Sequence, residues 1–159
     1  MSGAILEDHL EQAALQWLSA LGWQVAHGPD ISPPDGKTPG TERVTYRQVI
    51  LTARLRQAIR RLNPHVPAGA QDGALRQVLN LSIPGLLAAN RQFNRWLVEG
   101  VPVEYQKDGE TRGDRVRLVD FADVGRNDWL AVNQFTVQGL QGRHPRPTKR
   151  RCGSWATRP

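Results

Sequence analysis

Apolar residues recur at helical spacing from Ile5 to Leu21, with Leu6, Leu10, Ala13, Ala14, Trp17, Leu18 and Leu21 on one stripe. This predicts an amphipathic helix over residues 5–21, closed by Gly22 as a glycine C-cap with Trp23 folding back on Leu18. Trp23 to His27 suits a short strand. His27 to Gly40 is rich in proline and glycine and reads as a surface loop. A second helix is expected near 46–62 on Leu51, Leu55, Ala58, Ile59 and Leu62, stopped at Asn63-Pro64. Pro67 to Leu81 carries a weaker helical pattern. A fourth helix is expected over 83–99, with Ser82 as N-cap, Pro84 in the first turn and Gly100 as C-cap. Its inner face is read from Leu86, Leu87, Phe93 and Leu97, with Asn90 and Asn94 on the same side.

From Gly100 onward the period changes to two. Val101, Val103 and Tyr105 alternate with polar or small residues, Asp108-Gly109 is a pair that tolerates positive φ, and strand composition resumes after it. Strands are predicted near 101–106, 115–121 and 129–137. The last has apolar residues on both parities, which suits a strand covered on both faces. After Val137 the text becomes GLQGRHPRPTKRRCGSWATRP, with no further apolar run. The sheet therefore reads as incomplete, and residues 139–159 as an irregular, disordered basic tail.

Charge changes the picture only at that tail. The chain of 159 residues has a net charge of +6, yet the six cations of residues 143–159 account for all of it, leaving fifteen of the 21 bases against fifteen acids. A short basic arm holding Lys149, Arg150 and Arg151 can bind phosphates non-specifically. In the second helix Arg47, Arg54 and Arg61 are seven apart, a flank that can contact DNA or can equally be a solvated face paired with acids. At 100° per residue Glu11 falls on the shoulder of the first helix's apolar stripe, either as a boundary carboxylate or as an acid lining a site.

No segment has the length and apolarity of a membrane span, and the first residues lack the pattern of a signal peptide, so the cytoplasm is the expected compartment. The single cysteine, Cys152, excludes an internal disulfide framework and a cysteine-based zinc site. His9, His27, His65 and His144 have no metal-ligand spacing, and no phosphate loop, HExxH pair or serine nucleophile elbow occurs.

Five phrases in register carry a resemblance: Leu10 to Trp23, His27 to Ile31, Glu42 to Pro64, Leu86 to Tyr105, and Val116 to Val137. Together they resemble the N-terminal domain of the restriction (R) subunit of type I restriction-modification enzymes. The family usually has histidine where this chain has Asn94 and phenylalanine where it has Trp129. The resemblance implies an α/β fold, with helices packed on a small, incomplete sheet that forms the first part of a restriction-endonuclease-like domain over residues 1–138. It implies a site-specific deoxyribonuclease subunit needing Mg²⁺ and ATP, with DNA and the modification and specificity subunits as partners. Such nucleases hold Mg²⁺ with an aspartate on one strand and a Glu-x-Lys on the next. Neither occurs here. Glu11 alone occupies a matching position, the first-helix acid, so an inactive N-terminal fragment is expected. Two alternatives stay open: a non-catalytic DNA- or subunit-binding module, and the product of a decayed, frameshifted gene whose frame changes near Arg143.

Overall fold

The computed structural model describes residues 3–34 and 42–139, with side chains from His9 onward. The expected tail, including Lys149, Arg150 and Arg151, lies outside the described residues. The fold is α/β, as the pattern implied: four helices pack with two-stranded sheets. The described residues fall into two units, one built from the segments before Thr52 and from Asp128 onward, the other from Thr52–Asn127.

In the first unit, helix α1 (Gly3–Ala20) leads into strand β1 (Gln24–His27). The connection is a Schellman turn. Gly22 has φ 87°, its N–H donates to the Ser19 carbonyl, and the Trp23 N–H donates to the Leu18 carbonyl at 3.0 Å. β1 pairs in parallel with β4 (Leu130–Asn133), from Gln24 opposite Leu130 to His27 opposite Asn133. Trp23 and Trp129 stack just before the pair, centroids 5.2 Å apart. The strand expected over 129–137 is thus only four residues long and has one partner, β1. Gln134 ends it by turning to φ 53°, outside the extended region.

The face α1 buries differs from the one its strongest stripe suggests. Leu15 is buried, whereas Leu10, Trp17 and Leu21 are 64%, 72% and 75% exposed. Leu15 and Leu10 are 140° apart around the helix, so the flank is buried, Ala13, Ala14 and Leu18 are half-buried, and Leu10, Trp17 and Leu21 stay outside.

The second unit starts with helix α2 (Thr52–Leu62), not near residue 46. The residues before it cannot continue the helix because their carbonyls are engaged elsewhere. Arg43 donates to the carbonyls of Tyr46, Gln48 and Thr136 at 2.9–3.0 Å, and the Gln138 N–H also takes the Tyr46 carbonyl. Helix α3 (Ala68–Leu79) and helix α4 (Leu86–Glu99) follow. α4 begins three residues later than expected, since Gly85 at φ 90° is its N-cap and Ser82 makes no cap. Its inner face is also different. Trp96 is its buried residue, while Leu86, Leu87, Phe93, Asn90 and Asn94 are exposed.

Gly100, at φ 86°, closes α4 as expected, and an added Cβ there would meet the Val116 carbonyl oxygen at 3.1 Å. Strands β2 (Val101–Lys107) and β3 (Glu110–Val116) form an antiparallel hairpin through Asp108 and Gly109, both at positive φ. A two-residue turn fixes the register, with Lys107 opposite Glu110 and Val101 opposite Val116, so the second strand cannot wait until residue 115. The core of this unit joins Ile59, Leu62 and Val66 with Ala74, Leu75 and Val78 of α3, and with Val101, Val103, Val116 and Leu118. Apart from Ala74, each such side chain contributes about 1.5–3 kcal/mol through burial. The sheet expected as one is thus two separate pairs.

Candidate functional site

Parallel strands present ligands at their carboxyl ends. At that end of β1 and β4, His27 Nδ1 lies 3.0 Å from Asn133 Oδ1. Immediately after, the chain passes Gly28 so closely to Gln134 and Asn133 that a Cβ would collide with their backbone. The segment from Arg43 to Gln48 is fastened beside residues 135–138 through Arg43, which is 2% exposed and stacks over the Phe135 ring at 4.1 Å. Burial is the larger influence on this guanidinium and lowers its pKa, while Tyr46 acts to raise it. Arg43 is a structural cation.

Glu11 is half-buried on α1, one turn before Leu15 and therefore on the side of the helix that meets β1 and β4. Its placement agrees with the shoulder position read from the sequence. One carboxylate does not make a magnesium site, and among the described residues no group of three His, Cys, Asp or Glu side chains could hold a metal ion.

Of the three arginines read as one flank, Arg54 and Arg61 lie on α2, seven apart and on one side. Arg47 is in the turn before the helix, so the three do not share one helix face. Arg61 Nε donates to the Arg126 carbonyl at 3.0 Å. Arg126 in turn meets Asp120 at 3.2 Å. Asp120 is buried and accepts from the N–H groups of Asp123 and Ala122. The Asp123 N–H above all holds its carboxyl below the ordinary value of 3.8, helped by the Ala122 N–H, Arg126 and Arg117 and opposed by burial.

Arg43, Asn63, Asp120 and Arg126 were not singled out from the sequence as site or framework residues. The partners of Arg43 and Asn63 are remote in sequence, and no short motif marks them. The Asp120 loop has a local signal, an aspartate two and three residues before the N–H groups it accepts.

The α/β scaffold defines the class of protein. The chain matches the family described as Type I restriction enzyme R protein N terminus over residues 4–148, and it belongs to that family. It is 37% identical over 136 residues to the type I restriction enzyme HindI endonuclease subunit of Haemophilus influenzae, covering 86% of this chain and 13% of that protein. It is 33% identical over 144 residues to the putative type I restriction enzyme MjaIXP endonuclease subunit of Methanocaldococcus jannaschii, covering 89% and 13%. The chain thus spans about an eighth of the length of these curated relatives. No solved structure matches it significantly.

Proposed function

We propose that this chain works as the N-terminal region of an R subunit in a type I restriction-modification complex acting on DNA in the cytoplasm, and that the 159 residues do not cleave DNA themselves. The family match over residues 4–148 carries the reading. The modification and specificity subunits are its partners. Mg²⁺ and ATP serve the complete subunit, the first for phosphodiester hydrolysis and the second for movement along DNA. In this chain Glu11 is the single acid at a position matching the nuclease set, and a lone carboxylate can neither clamp Mg²⁺ nor position a water.

The test is incubation of supercoiled plasmid with the purified chain, Mg²⁺ and ATP, with and without the modification and specificity subunits. No nicking is expected in any combination, together with co-purification with those subunits. Cleavage abolished by Glu11→Gln would overturn the inactivity, and failure to co-purify would remove the complex. A second reading, a non-catalytic module that binds DNA or a partner subunit, is favoured by the exposed stripe Leu10, Trp17 and Leu21.

A further inference from the structure

The last turn of α2 and the 3-10 turn Val124–Arg126 are tied by reciprocal bonds. Arg61 Nε donates to the Arg126 carbonyl at 3.0 Å, and Arg126 Nη2 to the Arg61 carbonyl at 3.4 Å. Each guanidinium is held over the other residue's backbone. Arg126 Nη1 also reaches Asp120 Oδ2 at 3.2 Å, a carboxylate only 4% exposed. Arg117 stands between buried Val116 and Leu118, so its exposed side chain projects to the opposite face of the chain. Its backbone is fixed on both sides by Asn63, whose amide donates to the Arg117 carbonyl and accepts from the Arg117 N–H.

Main-chain carbonyls accept these bonds without cancelling charge. Asp120 balances one of the three arginines, and Asp123, exposed and bonded to the Gly125 N–H, is the other acid of this loop. Asn63 follows Arg61 by two residues, so its two bonds to Arg117 hold that backbone beside the end of α2, where Arg61 and Arg126 meet. Each arginine fork has five donors; the internal bonds use one of those of Arg61 and two of those of Arg126, and the planar fork matches phosphate geometry. The backbone positions are locked while the outer N–H groups remain for a ligand. Preorganised arginine of this kind loses little freedom on binding.

We propose that Arg61, Arg117 and Arg126 form a surface that binds the phosphodiester backbone of duplex DNA. The proposal rests on the reading of this chain as part of a DNA-acting complex and adds the surface and its ligand chemistry. It replaces the flank of Arg47, Arg54 and Arg61 with a patch that the fold assembles from three segments. Contacts of this type position the protein without reading sequence, and binding through them weakens steeply with salt.

The experiment is fluorescence anisotropy of a labelled duplex of about 30 base pairs titrated with the full chain, between about 50 and 200 mM NaCl, where phosphate contacts are most sensitive to salt. Arg61→Gln/Arg117→Gln is compared with a tail variant carrying glutamine at Lys149, Arg150 and Arg151, and with Arg95→Gln on α4. Each lost phosphate contact lowers the slope of log affinity against log salt by about one, so the double variant should lose about two while Arg95→Gln loses none. Circular dichroism melting confirms that the fold survives. If the double variant unfolds, Arg61→Lys/Arg117→Lys takes its place, keeping the slope but losing affinity several-fold with the forks. A double-variant slope equal to the parent's, with the tail variant losing all the salt dependence, overturns the surface. So does an absence of binding by the parent chain at low salt. Co-purification with partner subunits reads the complex separately, so its survival alongside a flat result sinks the surface alone.

Discussion

At the end of α2 a single carboxamide takes the place of a strand neighbour. Asn63 is fully buried; its Nδ2 donates to the carbonyls of Ile59 at 2.7 Å and Arg117 at 2.9 Å, and its Oδ1 accepts from the Arg117 N–H at 2.7 Å. Gln71, also buried, donates to the Asn63 and Val66 carbonyls and closes the same turn. Both N–H groups and the oxygen of this amide are bonded inside the protein, which is the condition for burying it at all. Asn63→Ala strands the Arg117 N–H and carbonyl together, and buried groups left so cost about 1–3 kcal/mol each. We expect urea unfolding of Asn63→Ala to show a loss of about 2–4 kcal/mol at unchanged m-value. A loss below about 0.5 kcal/mol, the range of surface substitutions, would mean that water replaces the amide.

The elements show how far local pattern reaches. α1 with its glycine stop, the Asp108-Gly109 turn and Gly100 were legible because each rests on residues next to one another in sequence, and positive φ at Gly22, Asp108, Gly109 and Gly100 agrees. The first half of the second helix was not legible, since what prevents it is a guanidinium drawing the carbonyls of residues 46 and 48 toward residue 136. Helix faces failed for a related reason. Periodicity finds the apolar stripe of α1 and α4 but not which side another element covers, and Leu15 and Trp96 are buried while the stronger stripes are not. As for the candidate site, the half-buried position of Glu11 was legible, whereas the pairing of Arg61 with Arg126 was not, because the two are 65 residues apart in sequence. One backbone approach is also hidden from sequence. At Gly28 an added Cβ would lie 2.8 Å from the Asn133 carbonyl oxygen and 2.6 Å from the Gln134 carbonyl carbon. Neither neighbour is a movable side-chain tip, so Gly28→Ala must push β1 and the end of β4 apart. Overpacking of this kind costs about 1–3 kcal/mol. The expected outcome is a melting temperature several degrees lower with accelerated amide exchange in 24–27 and 130–133; unchanged protection there would count against this close approach.

At the scale of the whole molecule, belonging to the R-protein N-terminal family over residues 4–148 sits beside a surface that carries large apolar side chains. The match runs over residues 4–148 and so includes the start of the basic segment. Leu10 and Trp17 on α1, within about 20° of one another around its axis, and Leu21 in the turn that follows are more than three-fifths exposed. On α4, Leu86, Leu87 and Val98 are exposed to a similar degree. Contiguous apolar side chains of this size mark contact surfaces or liabilities for association. Magnitude decides how strong the association is. Burying Leu10, Trp17 and Leu21 is worth about 1.5–3 kcal/mol each, against an association cost of about 4–15 kcal/mol. The stripe alone therefore supports only weak self-association. Sedimentation velocity of the purified chain should show a concentration-dependent rise in sedimentation coefficient in the range of tens of micromolar and above, accompanied by a blue shift of tryptophan emission as Trp17 leaves water. Leu10→Gln/Trp17→Gln should abolish the rise without lowering thermal stability, because neither side chain is part of the core. A single monomeric species across that range would show that the stripe is not adhesive, and a destabilised double variant would show that α1 buries its stripe after all.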